Sequence, residues 1–230
     1  MSKLVIANFK MNGSKDFIER WIKDFLVEQE SVNSIIVALP SPYLLTFNSR
    51  GLTLSGQNVS NEGSGAFTSQ LSAEMLKDCG VKYCLIGHSE ARQFLTETNE
   101  IIKQKFDQLK KESLQPILCI GEPLKIKEAS KTIDYLTEQL ELIDSDQENL
   151  IIAYEPIWSI GTGLIPEIND IQLAIDSIRS KFHKPIKVLY GGSVNSSNAS
   201  SISDKTDIDG LLVGGASLNP KEFAKIAQLC

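Results

Sequence analysis

The 230-residue chain reads as an α/β protein: one domain, residues 1–230, folded as a (β/α)8 barrel of eight parallel strands, each followed by a helix. Three observations predict this. Eight short, apolar, β-prone runs recur at fairly even spacing. Between them lie longer stretches whose apolar residues return with helical period. The last two runs end in paired glycines, Gly191-Gly192 and Gly214-Gly215. A doubly wound open sheet would use similar units, but no G-x-G-x-x-G follows the first run.

The elements follow in order. The first run, 4–9, ends in Asn8-Phe9-Lys10. Ser14 then stands as an N-cap before Ile18, Trp21, Ile22, Phe25 and Leu26, spaced i, i+3, i+4, i+7, i+8 as one helix face requires. Runs at 35–39 and 52–59 are the next two strands. The fourth, 83–86, ends in Gly87-His88-Ser89-Glu90, and a charged helix carrying Ile101, Ile102, Phe106 and Leu109 leads to the fifth, 116–120. The sixth, 150–154, ends in Glu155-Pro156. Ile171, Ala174, Ile175 and Ile178 mark the helix before the seventh run, 186–190. The Ser/Asn-rich stretch 193–203 is long enough only for a loop and a helix start before the eighth run, 208–213.

The composition, 42% hydrophobic and 23% charged, suits a soluble globular protein with one sizeable core. A net charge of −6 argues against a nucleic-acid partner, and it requires that any anionic ligand be held by local geometry. Cys79, Cys84, Cys119 and Cys230 lack metal-ligand spacing, and Cys84 and Cys119 lie in apolar runs as buried reduced thiols. The apolar stretch at Met1–Ala7 is too short for a signal peptide, and no run reaches membrane-spanning length. The expected setting is the cytoplasm, with no membrane partner.

In a barrel of this kind chemistry gathers at the C-terminal ends of the strands. Those ends present Lys10, His88 and Glu155: an ammonium, an imidazole and a carboxylate. Taken singly, each has an ordinary structural use as a solvated charge or a packed ring. His183, among charged residues near a helix end, reads as surface. After Glu155 comes a segment built like a lid: Pro156, Ile157, Trp158, Ser159, Ile160, Gly161, Thr162 and Gly163. Proline stiffens its start, and glycines free its end. An ordinary turn with a buried Trp would use similar residues. The glycine turns after runs seven and eight, leading into helices, offer bare N–H groups and a helix dipole to a phosphate without net positive charge. Glu155 as base, His88 polarising a carbonyl and Lys10 stabilising an enediolate would shuttle protons on a small phosphorylated sugar.

These residues resemble the triosephosphate isomerase family over essentially the whole chain. The resemblance is carried by Asn8-Phe9-Lys10-Met11-Asn12, Gly65-Ala66-Phe67-Thr68, Gly87-His88-Ser89-Glu90, Cys119-Ile120-Gly121-Glu122, the lid, Tyr190-Gly191-Gly192-Ser193 and Val213-Gly214-Gly215-Ala216-Ser217-Leu218. It implies interconversion of dihydroxyacetone phosphate and D-glyceraldehyde 3-phosphate through an enediolate, in glycolysis and gluconeogenesis, without cofactor or metal. By this resemblance Glu155 moves the proton, and His88 is a neutral electrophile held where a helix starts near Ser89. Asn8 and Lys10 contact substrate. The amides of Gly161, Ser193, Gly214 and Gly215 hold its phosphate. Ile160 and Leu212 clamp Glu155. The family is also an established example of lid closure and tuned acid–base groups.

The resemblance further implies a homodimer through loop 63–71, with Thr68 near the partner's Asn8 and Lys10. Here the chain departs from the family: Ser69-Gln70 replaces Gly-Glu, and Ala91-Arg92 replaces Arg-Arg. The Glu and first Arg, which pair across the family's interface, are both absent, so neither is left as an unpaired buried charge. If position 69 needs positive φ, Ser costs about 1 kcal/mol relative to Gly. Phe9 for Trp and Ser159 for Ala are milder changes. The residues are also compatible with another phosphate-binding barrel isomerase, such as one acting on a phosphorylated amino-sugar, and with a non-catalytic barrel scaffold.

Overall fold

A computed structural model describes residues 2–48 and 50–230. Met1, where the stretch read for a leader begins, and Ser49 lie outside them. Eight parallel strands close into a barrel in sequence order: β1 Leu4–Asn8, β2 Ser34–Ala38, β3 Thr53–Gly56, β4 Tyr83–Ile86, β5 Gln115–Ile120, β6 Ile151–Tyr154, β7 Lys187–Tyr190 and β8 Gly210–Val213. Closure is completed by β8 against β1, with Leu4 opposite Gly210 and Val213 opposite Ala7. Among the described residues ten α-helices connect and surround them: α1 Lys15–Glu28, α2 Leu44–Phe47, α3 Ala73–Asp78, α4 Ser89–Phe94, α5 Asn99–Lys111, α6 Leu124–Glu128, α7 Thr132–Gln139, α8 Ile168–Ser180, α9 Ala199–Lys205 and α10 Pro220–Leu229.

The strands read as apolar runs because both faces are buried. Alternation still sorts the side chains. Leu4, Ile6, Ile36, Ala38, Leu85, Ile117, Cys119, Ile151, Ala153, Leu189 and Leu212 form one cluster, the barrel interior. Their neighbours Val5, Ala7, Val37, Leu118, Ile152 and Val188 pack outward with helix residues. Continuing the inward parity, Asn8 follows Leu4 and Ile6, and Glu155 follows Ile151 and Ala153. The two-residue period therefore delivers both polar groups to the mouth of the barrel.

α1 forms where its periodicity places it. The Ser14 hydroxyl accepts from the Phe17 N–H and caps the first turn, and Ile18, Trp21, Ile22 and Phe25 are buried. Leu26, counted on the same stripe, is 46% exposed at its edge. Trp21 stacks on Phe25 and meets Phe9 edge-on, centroids 5.1 Å apart, so Phe9 is packed between the barrel and α1.

Two expectations are corrected. The run at 52–59 is a strand only over Thr53–Gly56. Beyond it polar side chains take over the backbone: Gln57 Nε2 donates to the Ala38 carbonyl, and the Val59 N–H donates to Asn58 Oδ1. The glycine turn after β7 does not lead straight into a helix, since α9 begins only at Ala199. Asn195 and Asn198 fold the intervening loop, each accepting a backbone N–H two or three residues away. A helix dipole is thus missing at Ser193, whereas after β8 a 3₁₀ turn, Gly215–Leu218, starts at once. Among the described residues no helix is long and apolar enough to cross a membrane.

Candidate active site

A cavity of about 310 Å³ opens at the C-terminal ends of the strands. It is lined by Asn8, Lys10, His88, Glu155, Ile160, Gly161, Gly163, Gly191–Asn195, Leu212 and Gly214–Ala216. It gathers every residue expected to meet substrate. Of the eight lid residues, Ile160, Gly161 and Gly163 reach it. Pro156–Ser159 form the stem, with Ile157–Ser159 as a short 3₁₀ turn, and Gly161 and Gly163 take φ of 70° and 78°.

Lys10 arrives in a conformation rare for a side-chain-bearing residue, φ 51°. Asn8 holds it there: its Oδ1 accepts the Lys10 N–H at 3.0 Å, one turn of chain closed by a buried amide. The Lys10 ammonium then reaches Glu90 Oε1 at 2.7 Å. Glu90 also fixes the imidazole, because its N–H donates to His88 Nδ1 at 3.2 Å. Nδ1 is therefore an acceptor, and the proton of neutral His88 sits on Nε2. Nε2 points to Glu155 Oε1, 3.3 Å away.

Glu155 is 3% exposed, and its Oε2 is buried without a hydrogen-bond partner. Burial raises its pKa above the ordinary carboxylate range, against the opposing pull of His88, Lys10 and the Ser89 backbone N–H. A buried carboxylate that lines a cavity and has one oxygen without a hydrogen-bond partner has the chemistry a general base needs. Ile160 and Leu212 line the same cavity. Gly191 leaves room for the acid, since a Cβ there would lie 2.9 Å from Glu155 Cγ.

Several supporting residues have parts in the site that the sequence alone does not assign. Gly121 is obligatory, because a Cβ would fall 1.7 Å from the Glu155 carbonyl oxygen. Its own N–H donates to Gln139 Oε1 at 2.8 Å, clasping the β5 end to α7. Buried Glu122 anchors the lid stem: its Oε1 accepts from Trp158 Nε1 at 2.9 Å and from the Tyr154 hydroxyl at 3.3 Å, while its carbonyl accepts the Ile157 N–H. Burial raises the Glu122 pKa, with the Trp158 bond opposing. Arg92 ties β4 to β5, Nε to the Gly87 carbonyl at 2.7 Å and Nη2 to that of Cys119 at 3.3 Å. Glu122 sits in a motif the sequence displays. Gln139, 18 residues from Gly121, has no local signal.

The dimer-loop residues stand apart from this cavity. Thr68, Ser69 and Gln70 are exposed, Ser69 has φ 73°, and Gln70 Oε1 accepts from the Ser60 hydroxyl within the same chain. Position 69 thus does take the conformation in which Ser is strained. Cys84 and Cys119 are buried free thiols, as read, and burial raises both pKa values. The His183 side chain is 71% exposed.

Fold and site define a class: a (β/α)8 barrel whose strand ends bring a buried carboxylate, an imidazole and an ammonium together beside glycine-rich turns and the glycine-bearing segment 156–163. The triosephosphate isomerase family model matches residues 3–230, and the chain belongs to that family. It is similar to proteins named triosephosphate isomerase from Buchnera aphidicola subsp. Schizaphis graminum (43% identity; 99% of this chain and 97% of the relative covered) and from Mesomycoplasma hyopneumoniae strain 7448 (41% identity; 98% of each).

Proposed function

We propose that Glu155, His88 and Lys10 carry the reaction of this isomerase, the interconversion of dihydroxyacetone phosphate and D-glyceraldehyde 3-phosphate. Family membership supports the reaction. The geometry that supports the roles is the Glu155 carboxylate, one oxygen against His88 Nε2 and the other unengaged. Glu155 takes a proton from C1 of dihydroxyacetone phosphate. The electron pair moves into the C1–C2 bond and the carbonyl oxygen becomes the enediolate oxygen; the proton of the C1 hydroxyl passes to that oxygen by way of His88 Nε2, and Glu155 delivers a proton to C2 as C1 becomes the aldehyde carbon. His88 donates a hydrogen bond from Nε2–H to that oxygen, and the Lys10 ammonium stabilises its charge. Asn8 holds Lys10 and borders substrate. The amides of Gly161, Ser193, Gly214 and Gly215 take the phosphate, so the acidic chain needs few cations there. Closure of Pro156–Gly163 excludes water, and Ile160 and Leu212 clamp Glu155 from its apolar sides.

The working form is a homodimer in the cytoplasm. Four free cysteines suit a reducing compartment. A second cavity of about 260 Å³ flanks Lys10, lined by Gln57, Asn58, Glu90, Ala91, Phe94 and Leu95. Phe94 and Leu95 are 71% and 62% exposed, and Phe67 on the loop is 40% exposed. Loop 63–71 of a second copy fits this apolar rim, bringing Thr68 towards Asn8 and Lys10. An isomerase of phosphorylated amino-sugars and a non-catalytic barrel scaffold are both disfavoured. Neither requires this base, this lid and this glycine cradle together in one cavity.

A coupled assay of triose-phosphate interconversion on purified protein, run over a dilution series, tests both parts. Turnover that fades on dilution is the expected result. Well-folded protein inactive at every concentration contradicts the assigned function, and activity independent of dilution down to subunit separation contradicts the need for a dimer.

A further inference from the structure

Ser159 is fully buried in the stem of the lid, and its polar atoms are all engaged. Its hydroxyl donates to the Leu164 carbonyl at 2.6 Å, across the lid's far arm. The same oxygen accepts the Ser193 N–H at 3.2 Å. Its carbonyl accepts from the Ser193 hydroxyl and, at 3.1 Å, from Thr162 Oγ1. A hydroxyl has one proton and two lone pairs, so these partners account for its donor and one acceptor site. One side chain therefore joins the two arms of the lid to each other and to the loop after β7.

We propose that Ser159 is a positioning residue that latches the lid in this arrangement by occupying the Ser193 amide, and that the substrate's phosphate must displace it. The inference rests on the reading that Ser193 N–H is a phosphate donor. An N–H directed at the Ser159 oxygen is not directed at an anion in the cavity, so lid hydroxyl and phosphate compete for one donor. Binding then exchanges a bond inside the protein for one to substrate, and the lid is freed at the moment the anion arrives. Lid movement is coupled to phosphate occupancy rather than to the carbon skeleton being isomerised. An aliphatic side chain at 159 would leave the amide ready in the empty site and uncouple the two events.

The test is Ser159→Ala, with inorganic phosphate as a competitive inhibitor of isomerisation. Loss of one neutral hydrogen bond from the empty state lowers the Ki for phosphate and the KM for dihydroxyacetone phosphate together, by about twofold to tenfold, with kcat not raised. Hydrogen exchange of the Ser193 amide quickens in ligand-free Ser159→Ala and slows again when phosphate is added. Ser159→Cys, nearly the same volume with a weaker acceptor, shows the same direction with a smaller change and covers the case in which the alanine variant folds poorly. A Ki that is unchanged or raised in both variants overturns the latch. Phosphate that fails to compete with substrate even in the unaltered protein overturns the cradle reading itself, a separate and recognisable result. General loosening of the lid is distinguished because it raises KM and lowers kcat.

Discussion

At the scale of single residues, the proposed chemistry concentrates on Glu155. Its carboxyl is out of water, so its proton affinity lies above that of an exposed glutamate. As pH rises, the unfolded chain releases this proton first. The position therefore contributes most to stability below the ordinary carboxylate range, and loses that contribution as pH climbs to the raised folded-state value. Glu155→Gln is expected to gain melting temperature relative to the unaltered protein at pH 7 and to lose the difference near pH 4, as calorimetry would show. In kinetics the same variant drops kcat by about 10²- to 10⁴-fold with KM little changed. The acid limb of kcat/KM in the unaltered enzyme falls above the usual carboxylate range. A similar kcat for Glu155→Gln would remove it as the base. Lys10, His88 and Glu155 were legible as a set because each ends a strand-like run. The positive φ of Lys10 and its pairing with Glu90 were not, since the latter joins residues 80 apart by a bend no local pattern records.

At the scale of elements, the site depends on how strand ends are pinned. The β5 end is the tightest point. Gly121 lies under the Glu155 backbone with no space for a methyl group, and Gln139 closes over it from α7. Gly121→Ala is expected to cost more than about 3 kcal/mol, because the contact is backbone against backbone and neither side yields. Gly215→Ala is the control, with nothing within 4 Å of its Cβ. Denaturant titration of the two variants separates them, and equal stability would contradict the crowding. The eight strands were legible from apolar runs at regular spacing, and the proposed lid is read from proline at one end and glycines at the other. Strand limits were less so. Side chains such as Gln57 and Asn58 end β3 by bonding to backbone, which composition alone does not reveal. The late start of α9 has the same cause in Asn195 and Asn198.

At the scale of the whole molecule, a barrel with its proposed catalytic groups at one mouth leaves Lys10 bordered by a second, open cavity rimmed with exposed Phe94 and Leu95. In the proposed dimer, Gln70 is satisfied by Ser60 of its own chain, and Ala91 presents no charge, so loop packing rather than an ion pair holds the subunits. Gln70→Glu with Ala91→Arg, made singly and together, tests this through the subunit dissociation constant. A coupling that makes the double variant bind tighter than the sum of the singles is expected; simple additivity would show that the two positions do not meet. The identities at 70 and 91 were plain in the sequence, but where Gln70 turns its amide needed the fold. The central claim remains the proton path through Glu155. Its most direct test is conversion of dihydroxyacetone phosphate in deuterated water, with the aldehyde product trapped as it forms and examined by NMR. Solvent deuterium at C2 of the product, formed by the unaltered enzyme and at a rate that collapses in Glu155→Gln, is the predicted result. Conversion and labelling at the same rates in Glu155→Gln would contradict it.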